Sequence, residues 1–293
     1  MHRGLVPGLV ALVGLWGAAT AGASVTIGQL APGGPPPAIC GGSYDLLQTT
    51  VTSGTTYVVP AGGIEISSWS TNAALGSGQQ LKMKVFRKVG SPARYRVVAH
   101  DGPRPLAPGV INEFPVDIPV VAGDVLGLYT STVGAAANAC LFSAPGEFNT
   151  QHPGDLADGQ SGSFDGAYGS SNRRPNVAAE VELEPLAFGK LSRNKDAGTA
   201  TLAVDVPAPG RLSLSGNGVK SQRSVRATAS RKVDAAGTVK LRIKAKGQKR
   251  RKLNASGRVK VKVKLTFTPS SITTGAVVGD PEIRYRRVKL LKN

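Results

Sequence analysis

Cysteine is nearly absent. The two that occur, Cys40 and Cys140, cannot build a disulfide-dense scaffold or a cysteine-based structural zinc site. Histidine is scarce as well: there are three, and one of them is residue 2. Aromatic residues make up only 5%. No apolar run reaches the roughly 18 residues needed to span a bilayer. The G-x-S-x-G, H-E-x-x-H and Gly-x4-Gly-Lys patterns are all missing, which removes the usual marks of a serine hydrolase, a zinc protease and a phosphate loop. A sustained helical period is missing too.

What the chain does hold is glycine and proline, 37 and 20 of its 293 residues, a composition that suits many short turns. At 41% hydrophobic it has enough apolar side chains to fold. The N-terminus reads as an export signal. Arg3 supplies the positive charge, Leu5 to Ala18 the apolar stretch, and Ala21-Gly22-Ala23 a small-x-small cleavage site. Residues 1–23 are therefore expected to leave, with the mature chain starting at Ser24. Export exposes the cysteines to an oxidising compartment, so a Cys40–Cys140 disulfide is expected.

Charge divides the remainder. Residues 24–184 hold 9 Lys+Arg and 13 Asp+Glu, whereas residues 185–293 hold 26 and 5. The net of +21 on the last part against −4 on the first argues for two domains. Residues 24–43 read as an extended Pro/Gly-rich lead-in, centred on Leu30–Pro37, where proline removes amide donors. Residues 44–184 contain short strand-like runs: Tyr44–Thr52, Thr56–Val59, Ile64–Ser70, Gln80–Val89, Tyr95–His100, Asn112–Ile118, Val125–Thr130, Ala139–Ser143 and Val177–Leu183. Nine strands in that length predict a jelly-roll-like sandwich. Residues 186–293 give Gly198–Val206, Gly210–Ser215, Val225–Lys232, Thr238–Lys246, Arg258–Thr268 and Ile283–Leu291, the arithmetic of an Ig-like sandwich. The fold class is all-β throughout.

Phe188-Gly189-Lys190, Gly198–Leu202, Pro209–Gly216, Gly237–Leu241 and Lys260–Lys264 together resemble a lysine-rich β-sandwich module. That module closes many secreted actinobacterial proteins of unknown function. The resemblance covers residues 186–292 and implies an Ig-like accessory domain without assigned catalytic or binding residues. Val120–Leu128 (VVAGDVLGL) is similar to a turn into an inner strand of jelly-roll and lectin-like sandwiches.

The candidate site residues are mostly basic. Lys240, Arg242, Lys244 and Lys246 alternate with apolar residues in one strand; Arg258, Lys260, Lys262 and Lys264 do so in the next. If the two are hairpin neighbours, joined by a turn carrying Lys249, Arg250, Arg251 and Lys252, their charges share one sheet face. Like charges opposite one another destabilise a sheet. Such a face either contacts an anionic cell-wall polymer or acidic polysaccharide, or is a solvated surface that keeps the chain soluble. Specific nucleic-acid binding is not expected, because the basic half has few stacking aromatics (Phe188, Phe267, Tyr285) and no recognition helix.

Elsewhere, Asp155, Asp158 and Asp165 in the Gly154–Arg174 stretch are a Ca²⁺ candidate or simply turn formers. His100-Asp101 could be half of a dyad. Period-2 counting sets Trp69 opposite Ile64 and Ile66, as a candidate carbohydrate contact or a core residue of the other face. No cofactor is expected. The reading is of a secreted, non-enzymatic, envelope-associated binding protein. The alternatives are a polysaccharide-acting enzyme, a lectin-like protein with its site in the first domain, and a structural spacer.

Overall fold

The computed structural model describes residues 22–32, 40, 42–131, 139–220, 231–270 and 280–293. Residues 1–21 of the expected signal, and most of the expected strand Val225–Lys232, lie outside them. The chain is almost wholly β-strand, with one helix among the described residues.

Eleven strands come first: β1 (Ser24–Gln29), β2 (Tyr44–Leu47), β3 (Gly63–Asn72), β4 (Gln80–Gly90), β5 (Arg94–Pro105), β6 (Ile111–Pro119), β7 (Val125–Thr130), β8 (Leu141–Pro153), β9 (Ser161–Ser163), β10 (Gly169–Pro175) and β11 (Val177–Leu183). They form a sheet of order β1-β11-β3-β6 and another of order β10-β8-β2-β7-β4-β5-β9. The antiparallel pairings are nested. β4 pairs with β5, β3 with β6, β2 with β7 and β1 with β11. This is one long hairpin with its tip at β4–β5, rolled so that successive pairs fall alternately in the two sheets. That is the jelly roll. Strands β8 to β10 are an excursion between its last two strands and widen the larger sheet.

The sandwich does not begin at Tyr44. Residues Ser24–Gln29 of the expected lead-in are β1, an edge strand with Val25 and Ile27 buried. The core is otherwise as the alternation requires, with Leu81, Met83 and Val85 of β4 facing Ile66, Val177 and Val181 of the other sheet's strands among the buried set. The expected disulfide joins Cys40 to Cys140, with Cα atoms 5.8 Å apart.

The remaining strands are β12 (Ala187–Asn194), β13 (Thr199–Val206), β14 (Gly210–Ser215), β15 (Arg231–Val233), β16 (Gly237–Lys244), β17 (Arg258–Pro269) and β18 (Glu282–Leu291), with helix α1 (Gly247–Ser256) between β16 and β17. They form sheets β12-β13-β16 and β15-β14-β17-β18. The chain's order across three strands facing four is that of an Ig-like sandwich. Leu202, Leu241, Ile243, Leu214, Val263, Leu265 and Phe267 fill its interior.

The hairpin expected between the two lysine-bearing strands is not there. β16 pairs with β13, and β17 pairs with β14 and β18 in the opposite sheet. The connection between them crosses the end of the sandwich. The basic run read as a turn is helix α1. Its residues contain no glycine or proline after Gly247, Leu253 is its buried anchor, and Gly257 stops it with φ 65°. Glycine is the residue that adopts this left-handed C-terminal position without steric penalty.

Candidate anion-binding surface

The charged strands work as half-buried strands do. In β17, Val259, Val261 and Val263 are buried, and Arg258, Lys260, Lys262 and Lys264 point outward. In β16, Val239, Leu241 and Ile243 are buried, and Lys240, Arg242 and Lys244 point outward. Because the strands belong to different sheets, these rows cover opposite outer faces of the sandwich. On the β17 face the crowding comes from β18, where Lys289 stands opposite Lys260 and Arg287 opposite Lys262. The Lys262 ammonium lies 4.4 Å from the centre of the Tyr285 ring, which offsets part of that repulsion.

Helix α1 joins the two faces. Around it run three cavities of about 400, 410 and 450 Å³. The first and second share Lys246 and Gly247, and the second and third share Lys249 and Lys252. Among the described residues no Asp or Glu lines any of the three. Of the basic residues singled out from sequence, Arg242, Lys244, Lys246, Lys249, Arg250, Lys252, Arg258 and Lys260 line this track. Lys240, Arg251, Lys262 and Lys264 do not line it. Lys220, Lys289 and Lys292 do; the first and last of these lie beyond strand ends, where no periodic signal marks them. Three acids of this sandwich are engaged by polar partners. Asp205 accepts from the Thr238 hydroxyl, Asp196 from the Asn293 amide, and Glu282 from Arg284 and the Leu186 N–H.

The first sandwich disposes of its candidates differently. Trp69 is fully buried, packed against Phe114 with ring centres 4.7 Å apart, and its indole N–H donates to Asp101 at 2.7 Å. It contacts no solvent and is not a sugar platform. The register of β3 against both neighbours slips between Ile66 and Ser68, a bulge that inserts one residue and returns Trp69 to the inner face with Ile66. Asp101 also takes a two-pronged contact from Arg104. Burial pushes the Asp101 carboxyl up, but the Arg104 and Trp69 donors outweigh it and hold it below the usual range. His100 points to the other face, where its Nδ1 meets Asp158 at 2.8 Å. His100 and Asp101 therefore form no dyad with each other.

The three aspartates of the Gly154–Arg174 stretch do not converge. Asp155 binds Lys82 and Lys84, Asp158 binds His100, and Asp165 accepts from Ser163 and the Ala167 N–H of its own turn. Among the described residues no three His, Cys, Asp or Glu side chains are placed to hold a metal ion. The Ca²⁺ reading fails on this geometry.

Instead the stretch is a strap across the outer face of the larger sheet. Phe164 is its plug, buried against Phe86, Tyr95 and His152. Beneath it Lys84 is 1% exposed and donates to Asp45, 0% exposed, at 2.5 Å, and to the Leu156 carbonyl at 2.7 Å. The Leu156 N–H donates back to Asp45 at 3.0 Å. Burial raises Asp45 to about 6 despite the adjacent Lys84 ammonium.

No protein-family profile, no curated protein and no solved structure matches this chain. The architecture accordingly rests on strand order and pairing alone. Among the described residues no helix is long and apolar enough to cross a membrane.

Proposed function

We propose that this is a secreted, non-enzymatic binding protein whose second sandwich contacts anionic polymers of the cell envelope or matrix, while the jelly roll is the module so positioned. The observation that carries this reading is the continuous acid-free track around α1, which links two cationic faces. A solubility device needs dispersed charge of both signs; it does not need cavities lined by one sign. Clefts lined by a single charge focus the field and concentrate counter-ions. The disulfide suits an oxidising compartment, in keeping with the export reading of the N-terminus.

The test is co-sedimentation of the mature chain with purified cell wall over a salt series. Binding is expected at low salt and should fall at least tenfold between about 0.1 and 1 M, as the Debye length shrinks from ~10 to ~3 Å. The double substitution Lys249→Glu with Lys252→Glu, in the two cavities that share these residues, should weaken low-salt binding by more than about tenfold. Absence of binding at low salt, or binding indifferent to salt, would leave the lysine rows as a solubility device.

A further inference from the structure

The first of the three cavities differs from a merely basic surface. It lies between the β12–β13 turn, the end of β16, the first turn of α1 and the C-terminal residues. Six cationic side chains line it: Lys220, Arg242, Lys244, Lys246, Arg250 and Lys292. They reach it from three separate segments of chain, residue 220, residues 242–250 and residue 292, which the fold brings together. The Lys220 N–H donates to the Lys244 carbonyl at 2.9 Å and the Lys292 ammonium to the Asn254 side chain at 2.9 Å, which fixes two of the walls. Gly198, with φ +61°, lets the β12–β13 turn close on Leu253 and Lys292; a side chain there would meet Leu253 at 3.0 Å.

Helix α1 opens on this cavity with Gly247 and Arg250. Its start runs against the ordinary arrangement. The residue before it, Lys246, makes no side-chain cap, and the first turn holds no acidic residue. Lys249, Arg250 and Arg251 sit where the positive end of the helix dipole disfavours cations. An anion in the cavity meets the converging Lys220, Lys244, Lys246, Arg250 and Lys292 groups and eases the repulsion at the helix start.

We infer that this cavity is a binding site for a phosphate monoester carried on a small polyol or sugar unit. The inference rests on the anionic-polymer reading and gives that polymer's contact group. A phosphate monoester brings up to two negative charges and three acceptor oxygens, against one charge for a carboxylate or a bridging diester. That matches this cluster of cations better than a single charge does. A cavity of about 400 Å³ exceeds one phosphate and falls in the range that holds small organic ligands.

The experiment uses the full mature chain at low salt, titrated by calorimetry with glucose 6-phosphate, inorganic phosphate, sulfate and glucuronate. Glucose 6-phosphate is expected to bind most tightly, inorganic phosphate next, and glucuronate at least tenfold more weakly. Lys244→Glu with Arg250→Glu should abolish the glucose 6-phosphate signal. Lys190→Glu with Arg211→Glu changes the net charge equally at exposed positions outside the cavities and should alter affinity by less than twofold. Circular dichroism on both variants checks the fold, and Arg250→Ala alone should weaken binding at least fivefold without charge reversal. Equal losses in both double variants, or equal affinity for all four probes, would overturn the site. Co-sedimentation with cell wall run in parallel separates the two ideas. Wall binding without phosphate binding sinks the pocket and leaves the electrostatic anchor; absence of both sinks both.

Discussion

Replacing Cys40 and Cys140 together by alanine is expected to destabilise the jelly roll by about 4–5 kcal/mol on the chain-entropy account. The crosslink spans 100 residues, so its removal frees a large part of the unfolded chain. It also sits where the fold depends on it. Cys140 is buried, directly precedes β8, and its carbonyl accepts from the Asn176 N–H that leads into β11. Cys40 precedes β2, which pairs with β8 in the same sheet. The bridge thus ties the roll's second strand to the excursion that follows its seventh. In a chain that starts at Ser24, Trp69 is the single tryptophan, and it lies in the core of the jelly roll, so its fluorescence reports that sandwich alone. Its thermal transition should fall by on the order of 10 °C. A change below about 1 kcal/mol would mean that the reduced chain is already restrained by residual structure.

Lys84→Met is expected to cost about 3–5 kcal/mol at pH 7, because it leaves the Asp45 carboxylate buried without its cation. Lys84 also binds Asp155, yet Asp155 keeps Lys82 and is partly exposed, so Asp45 bears the loss. The sign of the pH dependence follows from Asp45 itself. Its folded pKa is already raised, from 3.8 to about 6, chiefly by burial. The folded state therefore holds the proton more tightly than the unfolded chain. Stability from that proton is full below pH 3.8 and is lost as pH rises through about 6. Removing Lys84 takes away the attraction that opposes burial and drives the carboxyl higher still. The deficit of Lys84→Met relative to the parent should shrink as the pH falls toward 4. Adding Asp45→Asn should recover much of the loss at pH 7, since neither charge then remains buried alone. Denaturant titrations of the parent and the two variants at two pH values measure this. A deficit that ignores pH, or a double variant as unstable as the single one, would mean that packing under the strap matters and the ion pair does not.

The strands that could be read from sequence are those bounded by turn residues and rich in β-branched side chains. Val125–Thr130, Val177–Leu183 and Gly210–Ser215 lie where alternation and flanking turns put them. Parity counting failed at Ser67, because a bulge leaves no mark in the pattern of apolar residues and reverses the face of everything after it. β1 was hidden by the proline-rich segment that follows it, although its Val25 and Ile27 alternate correctly. Which strand pairs with which is a property of the whole roll, so two lysine-bearing strands adjacent in sequence went to different sheets. The basic residues were legible as a set, but their grouping around α1 was not. It depends on Lys220 and Lys292, which meet only after the sandwich closes. The aspartates were misread for a similar reason, since Asp155 finds its cations 73 and 71 positions away, at Lys82 and Lys84.

The nesting of the roll also sets a timetable. Ser24 pairs with Glu182, so the roll's first strand is completed by its last. At the usual pace of about 5–20 residues per second, β1 waits on the order of ten seconds for β11 to be made. The innermost hairpin, β4 with β5, has its partners within a few residues of one another. Closing distant pairs costs chain entropy that near pairs avoid, so the order of assembly runs from the tip of the hairpin outward. Throughout that interval β1 is a bare edge with valine and isoleucine on one side, the part of this chain most dependent on a chaperone or on speed.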